Sequence, residues 1–336
     1  MEILISELRK KLKQEISGQD HALEAVIRIC AVATTGICDS SRPLGSFLFL
    51  GPTGTGKSET PRALAKIIHG DPNEVIAINC TEFKNPHDVA KLTGAPPGYI
   101  GHERPPFLTP EKIQKNFTII IFEELEKADH DFFNILLQVL ERGELTTGQG
   151  VRLNFTKCLI FMTSNIGARE LDHLMRGEIG FSGHGSIISN LSDDEASKAI
   201  SHECLKALER NFNPEFINRI DEIIVFNRLK ASDLGFILDK FLSDFTYRVN
   251  IAGVRVIIDE SVKKFLIEKG FNQRYGARPL KRAIRTYLEF PLVEKFLLVK
   301  ETNPDLIKSC PLIVSTCETG LRFEFKNGSL FSKGAV

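Results

Sequence analysis

The stretch Gly51-Pro52-Thr53-Gly54-Thr55-Gly56-Lys57-Ser58 decides the fold of this chain. It fits the pattern G-x-x-x-x-G-K-[ST] of a phosphate-binding loop. The apolar run before it, residues 46–50 (SFLFL), is typical of a buried strand, and Leu64 and Ile68 after it fall on one helical face. A strand, a glycine-rich turn and a helix N-terminus form an anion cradle, because backbone N–H groups and the helix dipole both favour negative charge there.

Two side chains of the loop indicate its ligand. Lys57 would reach the β- and γ-phosphates of ATP, and the Ser58 hydroxyl would ligate Mg²⁺. A chance match on an unrelated turn is the alternative, but the flanking strand and helix argue against it. The sequence therefore predicts an ATP and Mg²⁺ site formed by residues 51–58.

Composition limits the class of protein. The 336 residues are 42% hydrophobic and 26% charged, which is ordinary for a soluble globular protein and long enough for two domains. Because 43 basic residues balance 43 acidic ones, net charge gives no support for a general nucleic-acid binder.

Cysteine and hydropathy patterns indicate a compartment. The seven cysteines are dispersed without a C-x-x-C pair, which favours reduced thiols in the cytoplasm. The sequence lacks the H-E-x-x-H motif that would predict a zinc site. No apolar run approaches the ~18 residues that a membrane span needs. We expect a cytoplasmic protein.

Strand-like and helix-like segments alternate as far as Phe226. Further strands are predicted at residues 74–79, 118–122, 158–162 and 223–226. This alternation predicts an α/β fold with a five-stranded parallel sheet. Beyond Asn227 the pattern becomes mostly helical with a few short strands, so we expect a large domain at 1–228 and a smaller α+β domain at 229–336.

Two further stretches carry candidate chemistry. Glu123 and Glu124 directly follow the third strand, and carboxylates at the carboxyl end of such a strand face the crevice where α/β sheets bind ligands. Residues 94–101 (GAPPGYIG) contain too much Gly and Pro for a helix or a central strand. The aromatic residue of that loop is either packed within the loop or presented to a partner.

Six blocks together resemble one family. They are GSFLFLGPTGTGKSE, GAPPGYIG, FNILLQVLERGELTTGQG, MTSNIGA, NPEFINRIDEIIVF and YGARPLKRAIR. In this order they resemble the Clp-type AAA+ unfoldases, specifically the second ATPase ring of ClpB, ClpA and ClpC, from about residue 16 to residue 325. The resemblance implies an AAA+ P-loop NTPase domain with a small C-terminal domain of Clp type, here as a single stand-alone module.

The resemblance also implies roles around the nucleotide. Glu124 matches the general base that orients the attacking water, and Glu123 stands where the family has an aspartate that holds Mg²⁺. Asn165 matches the residue that senses the γ-phosphate. Ile16 and Ser17 match positions that flank the adenine.

Other matched residues act between subunits or on a substrate. Arg219 matches the arginine finger, which acts on the neighbouring subunit's nucleotide, and Arg278 matches a second sensor carried by the small domain. Tyr99 and Ile100 match the pore loop that grips an extended polypeptide. These matches imply an ATP hydrolase that forms a homo-oligomer, a hexameric ring, and acts on unfolded or tagged polypeptides.

Several alternatives stay open at the sequence level. Ile179-Gly180-Phe181 resembles the tripeptide with which ClpA and ClpC dock on a ClpP-like peptidase, so the ring would either feed a peptidase or act alone as a chaperone. Glu123 is one methylene longer than aspartate, and Mg²⁺ demands near-ideal geometry, so an ATP-binding assembly or adaptor protein with weak hydrolysis is the main alternative. A nucleic-acid motor is a third, against which the neutral charge argues.

Overall fold

The computed structural model describes residues 4–99, 102–103, 105–167, 193–270, 276–318 and 320–325. The chain divides into two compact units, residues 1–227 and 228–336. The first unit is a layered α/β domain, and the second is smaller and mostly helical.

A five-stranded parallel sheet forms the centre of the first unit, with strand order β2-β3-β6-β1-β7. Every residue of β1 and β6 is buried, as expected of strands that helices cover on both faces. The predicted α/β fold with its five-stranded sheet is therefore confirmed. The sheet strands are β1 Gly45–Leu50, β2 Val75–Asn79, β3 Thr118–Glu123, β6 Cys158–Thr163 and β7 Glu222–Val225; β4 Glu144–Thr146 and β5 Arg152–Asn154 form a separate hairpin.

Helices pack on both faces of this sheet and enclose two apolar cores. One core joins α1, α2 and α3 to the sheet face that carries Phe47 and Phe161, whose rings stack at 4.7 Å. The other joins α6 and α7 to the face that carries Phe122. The helices are α1 Ile5–Glu15, α2 Asp20–Thr35, α3 Glu59–His69, α4 Val89–Thr93, α5 Pro110–Ile113, α6 His130–Arg142, α7 Asp193–Asn211 and α8 Pro214–Ile217, with 3₁₀ turns at Cys80–Glu82, Pro86–Asp88 and Leu125–Lys127.

The second unit has its own core and a small sheet. Its strands follow the order β10-β9-β8, with β9 and β10 antiparallel and β8 parallel to β9. This agrees with the predicted smaller α+β domain. Its elements are α9 Ala231–Ile251, β8 Val256–Ile258, α10 Glu260–Gly270, α11 Arg278–Ala283, a π-helical turn Ile284–Glu289, α12 Phe290–Thr302, α13 Pro304–Ser309, β9 Leu312–Cys317 and β10 Gly320–Phe325.

Two helix-ending glycines provide a matched test of packing in the first unit. Gly36 after α2 and Gly143 after α6 both have positive φ, 72° and 59°. A Cβ atom at Gly143 would lie 2.9 Å from the Ser41 carbonyl oxygen, whereas a Cβ at Gly36 would meet nothing within 4 Å. The two positions therefore share the backbone constraint and differ in the space available.

We expect Gly143→Ala to destabilise the protein more than Gly36→Ala. Both variants lose roughly 1–2 kcal/mol to the left-handed conformation. Gly143→Ala also forces atoms apart against a backbone carbonyl, at a further cost of about 1–3 kcal/mol. Urea unfolding followed by far-UV circular dichroism measures both, and equal losses would contradict the close packing at Gly143.

Candidate nucleotide-binding site

The phosphate loop connects β1 to α3 and is closely packed against the chain that follows β7. Gly51 and Gly56 have φ of 121° and 106°, which side chains rarely adopt. A Cβ at Gly51 would lie 2.7 Å from the Phe226 carbonyl oxygen. Glycine at this position is therefore required by both backbone conformation and space.

Lys57 is buried within the loop and points its ammonium group back into it. Its Nζ donates hydrogen bonds to the carbonyl oxygens of Gly51 at 2.6 Å and Pro52 at 2.7 Å. It also donates to Oδ1 of Asn165 at 3.0 Å. The structure thus brings together two of the predicted site residues, Lys57 after the carboxyl end of β1 and Asn165 after the carboxyl end of the neighbouring parallel strand β6.

The acidic pair Glu123-Glu124 lies at the same edge of the sheet. Glu123 is the last residue of β3 and is half-buried. Glu124 adopts φ 57° and ψ 49°, a left-handed conformation that costs a residue with a side chain about 1–3 kcal/mol. Its N–H donates to Oγ1 of Thr163, at the end of β6, at 3.4 Å. This backbone outlier turns the chain sharply out of β3 at a candidate catalytic position.

Glu126 is a site residue that sequence reasoning missed. Its Oε1 accepts a hydrogen bond from the backbone N–H of Asn165 at 3.2 Å, so it fixes the segment that carries the predicted sensor. Its Oε2 is buried and has no hydrogen-bond partner among the residues that the structure describes. The available signal was an acid three residues after Glu123, inside the short 3₁₀ turn.

Three carboxylates, those of Glu123, Glu124 and Glu126, act on Cys80 at this edge of the sheet. Burial, together with the charges of Glu126, Glu123 and Glu124, holds the pKa of the Cys80 thiol well above its usual range. Cys80 follows β2, the strand beside β3, and is fully buried. A divalent cation would be favoured by the same field that disfavours a thiolate.

Gln19 joins the loop to the strand ends and was also missed. It is fully buried, and its Nε2 donates to the carbonyl oxygens of Asn227 at 2.8 Å and Thr55 at 3.3 Å. Its Oε1 accepts from Asn227 N–H at 3.0 Å. Ile16, predicted beside the adenine, is buried nearby, with its Cγ2 3.9 Å from a Cβ at Gly56, and Ser17 after it is half-buried.

Arg219 is not brought to this edge. It precedes β7, and its neighbour Asp221 accepts a hydrogen bond from the backbone N–H of Ser46, at the start of β1, at 2.8 Å. The phosphate loop begins at the other end of β1, whose first and last of six residues are separated by five steps of ~3.3 Å, or roughly 17 Å. The strand therefore separates Arg219 from the phosphate loop of its own chain.

Tyr99 lies on the loop between α4 and α5 and is 70% exposed. The base of this loop is fixed to the β4–β5 turn, because the Gly148 N–H donates to the Thr93 carbonyl at 3.0 Å. A Cβ at Gly148 would lie 2.3 Å from the Gly94 carbonyl oxygen, so the two backbones are in direct contact. Ile100, and likewise Ile179, Gly180 and Phe181, lie outside the described residues, and their roles stay predictions.

The remaining candidate residues concern the metal and the second unit. Arg278 is the first residue of α11 and is exposed. In the described part of the chain, no group of three or more His, Cys, Asp or Glu side chains is arranged to hold a metal ion. The oxygen-bearing side chains of Ser58 and Glu123 are of the type that Mg²⁺ accepts, since it is commonly held by one or two protein ligands together with substrate phosphates and water. None of the described helices is long and apolar enough to cross a membrane.

Two family matches define the class of protein. Residues 42–223 match the AAA domain (Cdc48 subfamily), and residues 229–307 match the C-terminal, D2-small domain of ClpB protein. The chain therefore belongs to the AAA+ ATPases of the Clp type, a nucleotide-binding family.

Curated relatives agree with this assignment. The chain is 37% identical over 329 residues to the chaperone protein ClpB of Rhizobium meliloti (strain 1021), covering 98% of this chain and 35% of that protein. It is 40% identical over 290 residues to the ATP-dependent Clp protease ATP-binding subunit ClpC of Staphylococcus aureus (strain USA300), covering 86% and 34%. The chain thus spans about a third of the length of these relatives.

Solved structures of yeast Hsp104 share the fold. The extended conformation of the S. cerevisiae Hsp104:casein complex superposes with a TM-score of 0.80 at 28% identity, covering 95% of this chain and 52% of that one. The closed state of Hsp104 with ATPγS and FITC casein gives a TM-score of 0.78 at 27% identity. The match covers 96% of this chain and 51% of the Hsp104 chain.

We expect Gln19→Leu to weaken nucleotide binding about tenfold, or ~1.4 kcal/mol, because it removes the hydrogen bonds that join Thr55 to Asn227. Gln14→Leu is the matched control, since Gln14 is exposed on α1. Titration with a fluorescent ATP analogue measures the Kd of each variant. Equal Kd values for the two variants would exclude a role for Gln19 in shaping the loop.

Proposed function

We propose that this chain is a subunit of an ATP-dependent protein unfoldase or remodelling chaperone that threads polypeptide through a hexameric ring. The observation that carries the proposal is the position of Arg219 at the end of β1 opposite to the phosphate loop. An arginine that assists ATP hydrolysis must approach the phosphates, so Arg219 serves the nucleotide of another subunit. Head-to-tail contacts of this kind form a ring when the rotation from one subunit to the next closes.

Hydrolysis is divided among residues at the carboxyl edge of the sheet. The backbone of residues 51–56 and Lys57 would bind the phosphates, and Ser58 and Glu123 would hold Mg²⁺, which would supply charge neutralisation. Glu124 orients and deprotonates the attacking water, and Asn165, which already bonds Lys57, senses the γ-phosphate.

The other nucleotide contacts come from the flanking segments. Ile16 and Ser17 flank the adenine, and Arg278 acts as a second sensor from the small domain. Ile16 lies close to the phosphate loop, since a Cβ added at Gly56 would be 3.9 Å from its Cγ2. These roles follow the family pattern residue by residue.

Tyr99 supplies the contact to polypeptide. An exposed aromatic ring offers a large apolar surface that is indifferent to the sequence it touches. The fixed contact between the loop of Tyr99 and the β4–β5 turn supports transmission of domain movement to the aromatic side chain of Tyr99. Hsp104, with which the chain shares its fold, has been solved with casein.

An apolar stripe on the second unit supports assembly. Phe290, Val293 and Leu297 are 51%, 45% and 52% exposed and recur at helical spacing along α12. A contiguous exposed apolar stripe is typical of a surface that another chain covers.

We expect Glu124→Gln to bind ATP and assemble normally but to hydrolyse ATP at least ~100-fold more slowly, because an amide cannot accept the proton of the attacking water. Lys57→Ala should instead lose ATP binding. Steady-state turnover and native mass with and without ATP, measured on the same samples, test both. Near-normal turnover by Glu124→Gln would remove Glu124 from the mechanism.

The same variant tests the grip on polypeptide. In the presence of ATP, the Glu124→Gln variant should retain fluorescein-labelled casein. The double variant Glu124→Gln/Tyr99→Ala should not retain it. Tyr99→Phe keeps the ring and is the control that should retain casein. Equal retention of casein by the two Tyr99 variants would contradict the proposed role of Tyr99. It would not bear on the proposal that the protein hydrolyses ATP.

The second candidate function is an ATP-binding assembly or adaptor protein with weak hydrolysis. Register with Asn79 fixes the backbone of Glu123, so its extra methylene carries the carboxylate about 1.5 Å beyond that of an aspartate. In that case Glu123→Asp should raise turnover or lower the Mg²⁺ requirement, measured by an Mg²⁺ titration of ATPase activity. A slower variant would contradict this candidate, since the surroundings would then be adapted to glutamate.

A further inference from the structure

Arg42, in the segment before β1, bridges two elements near Arg219. Its Nη2 donates to the Arg219 carbonyl oxygen at 2.9 Å, and its Nε donates to the Leu140 carbonyl oxygen at 3.1 Å. The Leu140 carbonyl belongs to the last turn of α6. The last carbonyls of a helix lack hydrogen-bond partners within the helix. The Arg42 guanidinium therefore supplies a donor to one of them and at the same time fixes the turn that carries Arg219.

Asp221 fixes the same turn from its other side. Its Oδ2 accepts from the Ser46 N–H at 2.8 Å and from the Ser46 hydroxyl at 2.7 Å, and its own N–H donates to Oγ of Ser46 at 3.0 Å. Arg42 Nη2 lies 3.7 Å from Oδ1 of Asp221. The backbone of residues 219–221 is therefore held against the start of β1 by side chains on both sides.

The guanidinium of Arg219 is held less completely than its backbone. Its Nη2 lies 3.1 Å from Oε1 of Glu215 and 3.5 Å from Oε2 of Glu141. Its Nε is buried and has no hydrogen-bond partner in the described part of the chain. The side chain is 28% exposed, so its tip is accessible to another molecule while its base is enclosed.

We propose that Arg42 is a positioning residue for Arg219, which fixes the Cα position from which Arg219 reaches the nucleotide of the neighbouring subunit. This rests on the proposed trans-acting role of Arg219. The planar guanidinium of Arg42 donates from two different nitrogens held in a fixed fork, Nε and Nη2, whereas all the donors of a lysine are on one nitrogen, which cannot occupy both positions. The contacts of Arg42 that carry the proposal are to the Leu140 and Arg219 carbonyl oxygens and to Asp221.

The proposal predicts that substitution of Arg42 in one subunit slows ATP hydrolysis at the site of the neighbouring subunit, to which Arg219 is donated. Arg42→Gln should lower kcat for ATP at least about tenfold, because a displacement of about 1 Å can cost up to ~100-fold. The ATP concentration at half-saturation should change little, since the phosphate loop is at the other end of β1. Arg42→Lys keeps the positive charge but loses the fixed fork of donors, so its kcat should fall between those of Arg42→Gln and the unaltered protein.

Subunit mixing distinguishes positioning from a general structural role. Lys57→Ala subunits cannot bind ATP but carry an intact Arg42 and Arg219, so mixing them with Arg42→Gln subunits should restore turnover at mixed interfaces. A general defect would also disable the Arg42→Gln subunit's own nucleotide site, and mixing would not restore it. Arg28→Gln is the control: Arg28 pairs with Glu222 near the same strand end and should leave kcat unchanged.

Two results would overturn the proposal. One is a normal kcat for Arg42→Gln, and the other is a loss that Lys57→Ala subunits fail to restore while they do restore Arg219→Ala. If Arg219→Ala alone is fully active, the trans-acting role itself is wrong, and that result is distinct from either of these. Urea midpoints of Arg42→Gln and Arg42→Lys, measured beforehand, identify a variant that does not fold, in which case the other variant decides.

Discussion

The pairing of β1 between β6 and β7 is the constraint on which the candidate site depends. Leu48 of β1 is in register with Met162 of β6 and with Ile223 of β7, so the strand is hydrogen-bonded on both sides and cannot slide. Its carboxyl end starts the phosphate loop, and its amino end bonds Asp221 beside Arg219. One rigid strand therefore sets both the position of the loop and the distance that separates it from Arg219.

Burial of the sheet strands compensates for costly local features after the carboxyl end of β3. Glu124 has a left-handed backbone, and one oxygen of Glu126 is buried without a hydrogen-bond partner in the described part of the chain. Each such feature costs on the order of 1–3 kcal/mol. Complete burial of a residue such as Phe47 or Phe161 contributes a stabilisation of about the same size, ~1.5–3 kcal/mol, and the two cores contain many such residues.

The features that depend on local sequence pattern could be predicted from the sequence. The residues whose role depends on contacts with distant parts of the chain could not. The five strands were predictable because each is a short apolar run, and the loop because its residue types and spacing are specific. The β4–β5 hairpin was not, since each strand has three residues and only one of them is buried. Gln19, Glu126 and Arg42 were missed for a related reason. Their partners lie 208, 39 and 177 residues away, and a polar residue's sequence neighbours do not reveal such contacts.

The separation of Arg219 from the phosphate loop is the part of the site that no local pattern could supply. A resemblance identified Arg219, but only the Ser46–Asp221 hydrogen bonds put it at the amino end of β1. If Arg219 acts as proposed, each chain presents an ATP site at one end of a stiff strand and the completing arginine at the other. Movement of the loop end of the sheet would then be carried, through a strand that neither stretches nor slips, to the arginine that serves the next nucleotide. Such coupling between successive sites requires no moving element beyond the sheet itself.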